Sequence, residues 1–226
     1  MTDKTSCNLY TDSKIGEDGR GRHTAPPNLS MMTAEMVTPS EVLELLSSIY
    51  LCKPSRESIE NWQTALAADS SIFLDDLKRV INGLDRASEE QLEELLWEYT
   101  RLFIGPYRLP SPPWESVYTS PKRLLMQEAA EQVLAIYREA GLAVNTPDVL
   151  PDHIGVELNF LAVLLQETHS ETDQKDLYVD MTGKFLAEHL LRWVPEFTRD
   201  MENAAETPFY KAVAKTTRSI IEFIGR

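Results

Sequence analysis

The side chains best suited to acid–base or metal chemistry lie close together in the sequence, at Asp152, His153 and Glu157. His153 and Glu157 are four residues apart, so on a helix they would share one face, as two metal ligands would. Two ligands do not complete a coordination shell. Cys7 and Cys52 have no CxxC partner and no histidine at metal spacing, so a zinc site or a disulfide framework is not indicated. The sequence therefore predicts no metal and no cofactor.

Motifs that hold a phosphate, a dinucleotide, a catalytic serine or a zinc ion do not occur in this sequence. There is no GxxxxGK loop followed by Ser or Thr, no GxGxxG after a strand, no GxSxG elbow and no HExxH pair. A hydrolase that uses a carboxylate and His153 is the enzymatic alternative. The sequence favours a binding protein that is not an enzyme.

One candidate binding cluster is Tyr99-Thr-Arg-Leu-Phe-Ile-Gly-Pro106, which ends a predicted helix with large apolar side chains. Considered alone, Leu102 and Phe103 are better explained as part of a protein core. A glycine followed by a proline is typical of a helix C-terminus, so the helix is expected to end at Gly105-Pro106.

The second cluster is Pro112-Pro-Trp-Glu-Ser-Val-Tyr118, within a segment of four prolines at residues 105–118. Proline fixes φ and removes an amide donor, so this segment is predicted to be an extended, stiff connector. Trp114 and Tyr118 offer large contact areas at low entropy cost. They are interpreted either as the wall of a binding groove or as a rigid plug between two halves of the protein.

The third cluster, Pro151-Asp152-His153, precedes a segment that is apolar almost all round and is therefore expected to be a central helix. Asp152 is predicted to cap that helix. Alternatively, Asp152 also presents its charge at the edge of a pocket, with His153 as a pH-sensitive donor.

Helical spacing and capping patterns dominate the rest of the chain. Capping boxes are predicted at Thr38 and Ser88, and a helix is predicted from Ser120-Pro121 through Leu124 and Leu125 to Gly141. A helix from about Asp173 to Val194 is expected to be followed by a short one after Pro195, and Thr207-Pro208 begins the last. No strand is predicted. The expected fold is all-α, a single helical domain of about eight to ten helices.

Domain boundaries follow from composition. Residues 1–36 are polar, rich in glycine and proline and without periodicity, so they are predicted to be a disordered leader. Residues 37–226 form the predicted helical domain. Its half-domains are placed at about 37–110 and 119–226, with the proline-rich hinge at about 105–118.

The net charge of the chain is −14, and the leader accounts for −1 of it, from four basic and five acidic residues, which leaves −13 on the predicted domain. A field of this sign repels nucleic acid and anionic membranes and attracts cationic partners. The sequence contains neither an apolar run of membrane-spanning length nor a secretion signal. A cytoplasmic protein is predicted, without nucleic-acid binding and without stable membrane insertion.

The order of the three clusters, LFxGP, then PPWxSVY, then PDH before an apolar helix, resembles the TorD/DmsD/NarJ family of redox-enzyme maturation chaperones. The DmsD-like branch is the most similar, through Leu102-Phe-Ile-Gly-Pro106 and Leu109-Pro-Ser-Pro-Pro-Trp114. Tyr99 stands where that branch is expected to have tryptophan, and Glu115 where glycine is common. These two departures leave open which enzyme precursor would be the client of such a chaperone.

The resemblance implies an all-α chaperone that binds the twin-arginine signal peptide of a molybdopterin oxidoreductase precursor and retains it until the cofactor is inserted. It also implies a homodimer by half-domain exchange as an alternative to a monomer. A structural subunit of a redox complex is another alternative. The implied peptide-binding residues, with Glu115 and Tyr118 added from their place in the proline-rich segment, are Tyr99, Leu102, Phe103, Pro113, Trp114, Glu115, Tyr118, Asp152 and His153. Asp152 or Glu115 is expected to bind one arginine guanidinium of the client's signal peptide, also called the twin-arginine leader.

Overall fold

The protein is built from helices, as the sequence predicts. The structure, a computed structural model, describes residues 10–12, 38–67, 74–84, 87–106, 108–144, 148–169 and 174–226. The α-helices are α1 Pro39–Leu51, α2 Arg56–Leu66, α3 Asp75–Asn82, α4 Glu89–Tyr99, α5 Glu115–Thr119, α6 Glu128–Glu139, α7 Ile154–Thr168, α8 Lys175–Phe185, α9 Leu191–Ala204 and α10 Pro208–Ile224. Single π-helical turns, Thr100–Ile104 and Leu186–Leu190, extend α4 and join α8 to α9. The predicted all-α class is confirmed.

The predicted capping boxes fix the starts of α1 and α4. Thr38 Oγ1 accepts from the Glu41 N–H at 3.3 Å, and the Glu41 carboxylate accepts from the Thr38 N–H at 2.7 Å. Ser88 and Gln91 make the same reciprocal pair, at 3.3 and 2.8 Å. Each box satisfies two amide donors that a helix N-terminus leaves without partners. Local sequence alone is therefore enough to position these two helices.

The centre of the fold is the packing of α7 against α1 and α8. Nine of the fifteen residues of α7, all between Ile154 and Leu164, are buried, which confirms its predicted central place. Gly155, in the first turn of α7, lies so near α1 that a Cβ there would be 2.6 Å from Leu51 Cγ. Across the same contact, the Ser47 hydroxyl donates to the Gly155 carbonyl at 2.7 Å. The absence of a side chain at Gly155 thus sets how closely the two helices approach.

The helix that begins at Glu89 ends where the sequence predicts, at Gly105, but it ends in a π turn. The Gly105 N–H donates to the Thr100 carbonyl at 2.9 Å, and Gly105 has φ of 84°, a conformation that glycine adopts easily. The wider turn buries Leu102 and Phe103 and leaves Ile104 half exposed.

Residues 120–127 contradict the prediction of a helix from Ser120-Pro121. Helix α6 begins only at Glu128, and the preceding loop contains Arg123 and Met126 at φ of 51° and 56°. The side chain of Arg123 ion-pairs with Glu196 at 3.2 Å and lies over the Tyr118 ring at 4.9 Å. These tertiary contacts accompany an irregular backbone that the local serine–proline signal does not predict.

Two further predictions need correction. The connector at 105–118 is not extended throughout, because α5 begins at Glu115 inside it. Pro195 does not start a new helix but lies inside α9. A proline inside an α-helix clashes with the carbonyl four residues earlier. Pro195 lies near the start of α9, and the turn that precedes α9 is the wider π turn Leu186–Leu190.

A small antiparallel ladder pairs β1, Tyr10–Asp12, with β2, Leu142–Val144, although no strand was predicted. Apart from β1, the predicted disordered leader, residues 1–36, lies outside the described residues. Its assignment stays a prediction, and so does the division into half-domains around a hinge. Helix α1, from the first predicted half, packs mainly on α7 from the second.

Candidate functional site

The proline-rich segment and the start of α7 are joined by strand-like pairing between Trp114 and His153. The Glu115 N–H donates to the Asp152 carbonyl at 3.0 Å, and the Ile154 N–H donates to the Pro113 carbonyl at 2.9 Å. The two rings meet edge to face, with 5.9 Å between their centroids. Two clusters that are almost forty residues apart in the sequence therefore form one rigid surface.

This surface is one wall of a cleft of about 680 Å³. Four of the nine predicted binding residues line it, and they come from all three clusters. They are Tyr99, Phe103, Trp114 and His153. The other lining residues do not belong to the predicted site, and they are Tyr50, Leu51, Lys53, Ile104, Asp148, Val149 and Leu150. Most of them are apolar and belong to helix ends or loops, where periodicity gives no sign of a shared cleft.

The aromatic wall of the cleft is held by the core behind it. The Tyr99 hydroxyl donates to the Tyr50 carbonyl at 2.8 Å, and burial raises its pKa well above the usual value. Phe103 packs edge to face on both tyrosines, at 5.3 Å from Tyr99 and 5.7 Å from Tyr50. Phe103 is only 4% exposed, so it serves the core and the cleft at once. A wall fixed in this way loses little conformational entropy when a ligand binds.

His153 caps α7, which corrects the prediction that Asp152 does so. Its Nδ1 accepts from the Gly155 N–H at 3.1 Å. Burial lowers the pKa of His153 to about 3, because the charged imidazolium would lose its hydration. This lowered pKa and the hydrogen bond to Nδ1 both favour a neutral ring at physiological pH, which disfavours the interpretation of His153 as a pH-sensitive donor.

Asp152 caps a different helix. Its Oδ2 accepts from the N–H of Ser116, in the first turn of α5, at 3.0 Å. The side chain is fully buried, so Asp152 does not present its charge at the edge of a pocket. Glu115 is buried as well and contacts His189 Nδ1 through Oε2 at 2.8 Å. Neither carboxylate is open to solvent, and their predicted role in guanidinium binding stays a prediction.

Glu115 and Asp152 share the interior with a third acid, Glu157, whose Oε2 accepts from the indole N–H of Trp193 at 3.0 Å. Burial raises the pKa of Glu157 well above 4.5, and the charges of Glu115 and Asp152 raise it further. Burial likewise raises the pKa of Asp152. Both shifts favour the neutral forms of Glu157 and Asp152.

The remaining predicted residues support the cleft without lining it. Leu102 is fully buried, and Pro113 contributes the carbonyl that pairs with Ile154. The ring of Tyr118 packs at 5.6 Å from Trp193. These residues fix the segments that hold Phe103 and Trp114.

Among the described residues that line the cleft, Lys53 and Asp148 carry charged side chains, and both are exposed. Within the described ranges, no three His, Cys, Asp or Glu residues are grouped as a metal ion would require. Among the same residues, no helix has both the length and the apolar character to cross a membrane. The geometry suits the binding of an apolar segment that has a charged end.

Comparison with known proteins places this architecture in a family. Residues 51–199 match the family model of the nitrate reductase delta subunit. The Tat proofreading chaperone DmsD of Salmonella typhi is 33% identical over 162 residues, which cover 70% of this chain and 71% of that protein. The chaperone TorD of Vibrio cholerae is 27% identical over 200 residues, which cover 81% and 88%. The match to a DmsD relative from Haemophilus influenzae, 30% identical, spans 63% of that protein.

Solved structures include the same fold. A crystal structure of a candidate redox enzyme maturation protein from Archaeoglobus fulgidus superposes with a TM-score of 0.56 and 22% identity, and it covers 89% of this chain and all of that one. At this identity the likeness concerns the fold alone. The family model matches more than half of the chain, and the motifs that suggested the resemblance lie within the matched residues. The chain therefore belongs to the TorD/DmsD/NarJ family of redox-enzyme maturation chaperones, whose family model is that of the nitrate reductase delta subunit.

Proposed function

We propose that this protein is a cytoplasmic chaperone that binds the twin-arginine signal peptide of a molybdopterin oxidoreductase precursor and assists cofactor insertion and assembly before export. The relatives are named chaperones and not enzymes, which supports a role in binding. The observation that carries the proposal is the cleft between Trp114 and Phe103, which joins the three sequence clusters in one surface.

The chemistry of a twin-arginine leader suits this surface. Such a leader is a cationic head followed by an apolar stretch. A volume of about 680 Å³ accommodates several apolar side chains and not a whole leader, so the peptide would place part of its apolar stretch between Tyr99, Phe103 and Trp114. The net charge of −14 would speed its encounter with the arginines.

A pull-down that compares a full precursor with the same client lacking its leader tests the proposal. A leader-binding chaperone captures the precursor and loses most of that capture when the leader is removed. Equal and permanent association with both forms would instead support a structural subunit of a redox complex. A hydrolase built on His153 would consume a substrate without holding either form.

Half-domain exchange stays part of the proposal. Since α1 packs on α7, exchange would require this contact to open and to form again between two copies. Light scattering on the purified protein would show whether a dimer of about twice 25.7 kDa coexists with the monomer.

A further inference from the structure

The charged groups around the cleft differ sharply in whether a ligand can reach them. Asp152 and Glu115 are 0% and 1% exposed and already contact Ser116 and His189. Asp148 lines the same cleft and is exposed, and its carboxylate makes no hydrogen bond or ion pair with the residues that the structure describes.

A guanidinium would have to break local structure to reach Asp152. The Asp152 side chain is fully buried beside the pairing of Trp114 with His153, in which its own carbonyl accepts from the Glu115 N–H, and its Oδ2 holds the first turn of α5. Opening that pairing would remove the backbone hydrogen bonds from the Glu115 and Ile154 N–H groups. Each buried amide left without a partner is costly. Access through the wall of the cleft is therefore unfavourable.

We propose that Asp148 is the residue that accepts an arginine guanidinium of the leader. This inference rests on the proposed function and names its specificity-determining contact. A carboxylate offers a guanidinium two acceptors in the planar geometry that it requires. Asp148 immediately precedes Val149 and Leu150, which are part of the apolar lining. An arginine bound at Asp148 thus leaves the adjoining apolar residues of the leader beside the cleft.

Lys53 has the opposite charge to Asp148 and should therefore have the opposite effect on the binding of an arginine. It follows the end of α1, it lines the cleft, and its ammonium group forms no ion pair with the described residues. A cation at this position repels the arginine head and attracts an acidic one. The pair Asp148 and Lys53 therefore makes affinity depend on the charge of the ligand beyond the uniform effect of net charge.

Fluorescence anisotropy tests this with two labelled peptides, one with two consecutive arginines before an apolar stretch, the other with both arginines replaced by glutamine. Asp148→Asn should weaken binding of the arginine peptide about three- to five-fold, the upper range for an exposed ion pair with favourable geometry, and should leave binding of the glutamine peptide within two-fold. Lys53→Gln should strengthen the arginine peptide about two-fold. Asp176→Asn, at an exposed position on α8, is the control for net charge.

The possible outcomes distinguish a failure of the Asp148 assignment from a failure of the proposed function. If the unaltered protein binds neither peptide, the proposed function fails and Asp148 loses its role with it. If it binds the arginine peptide and Asp148→Asn binds equally well, the function stands and the assignment of Asp148 is overturned. An Asp152→Asn protein that folds normally but loses the preference for arginine, while Asp148→Asn keeps it, would also overturn the assignment.

Discussion

Asp152 accepts a hydrogen bond from the backbone N–H of Ser116 at 3.0 Å, and so caps a helix from a position 36 residues further along the chain. Its own carbonyl accepts from the Glu115 N–H. One residue therefore satisfies two amide groups at the start of α5. This contact holds Trp114, the residue before α5, in place on the wall of the cleft.

Replacing Asp152 separates this capping role from ligand recognition. Asp152→Asn keeps an oxygen that can accept from Ser116, so the free energy of unfolding should change by less than about 0.5 kcal/mol. Asp152→Ala removes the acceptor and should lose roughly 1–2 kcal/mol. Urea unfolding followed by circular dichroism measures both. Because the carboxylate is buried, the well-folded Asn variant should bind the arginine peptide within two-fold of the unaltered protein.

A stable Asp152→Ala protein would contradict the capping role. An Asn variant that keeps its stability but binds several-fold more weakly would support the expectation from sequence, that Asp152 contacts the guanidinium itself.

Local signals in the sequence predict the helices whose caps lie within three residues of their starts. Thr38 with Glu41 and Ser88 with Gln91 are of this kind, and both helices start as predicted. The periodicity of α7 likewise predicts its central place. The order of the motifs identifies the family because the clusters are rare in combination.

The sequence does not predict contacts between residues that are far apart along the chain. Asp152 resembles a local cap for α7, yet its side chain turns towards Ser116, and His153 caps α7 instead. Similarly, Asp148 has no motif around it and becomes a candidate only through its place at the cleft. Burial also reverses the expected chemistry of His153, since a pKa of about 3 keeps its ring neutral.

Trp114 is the residue whose removal should most directly weaken leader binding. Trp114→Ala should cost about 2 kcal/mol of binding free energy, roughly a thirty-fold rise in Kd, as expected for an aromatic residue that dominates an interface. Isothermal titration calorimetry with the arginine peptide measures it. Phe103→Ala should weaken binding too, but Phe103 is part of the core and its loss should also cost about 3–5 kcal/mol of stability.

Trp97→Ala is the matched control. Trp97 is 56% exposed on α4, lies outside the cleft and stacks with Arg101. Its removal should leave Kd within two-fold. Equal losses in the Trp97 and Trp114 variants would point to a general effect of removing a tryptophan and would sink the role of Trp114.

The acidity of the protein should appear in the association rate. Raising the ionic strength from 0.01 to 0.15 M shortens the Debye length from about 30 to about 8 Å, so a net charge of −14 attracts a cationic leader less strongly. Stopped-flow measurements should show association slowing by about ten-fold, with a much smaller change in the dissociation rate. Association that is independent of salt would leave the acidity as a contribution to solubility alone.

Glu157 should make the protein less stable as pH rises. Its pKa is raised well above 4.5 in the folded state, so between 4.5 and the raised value the folded protein holds a proton that the unfolded chain has lost. Stability therefore falls as pH rises through that window. Glu157→Gln imitates the neutral acid, and its amide oxygen can accept from the Trp193 N–H.

The Gln variant should accordingly be more stable than the unaltered protein at pH 8, and the difference should shrink towards pH 5. Chemical unfolding at four pH values measures the difference. The lowered pKa of His153 reduces stability as pH falls below 6.5, and this contribution is present in both proteins. The comparison therefore isolates Glu157 together with its coupling to Glu115 and Asp152. Glu60→Gln, at an exposed position on α2, controls for the loss of one negative charge. If the Glu157 and Glu60 variants follow the same curve, the stability of the fold does not depend on proton binding by Glu157.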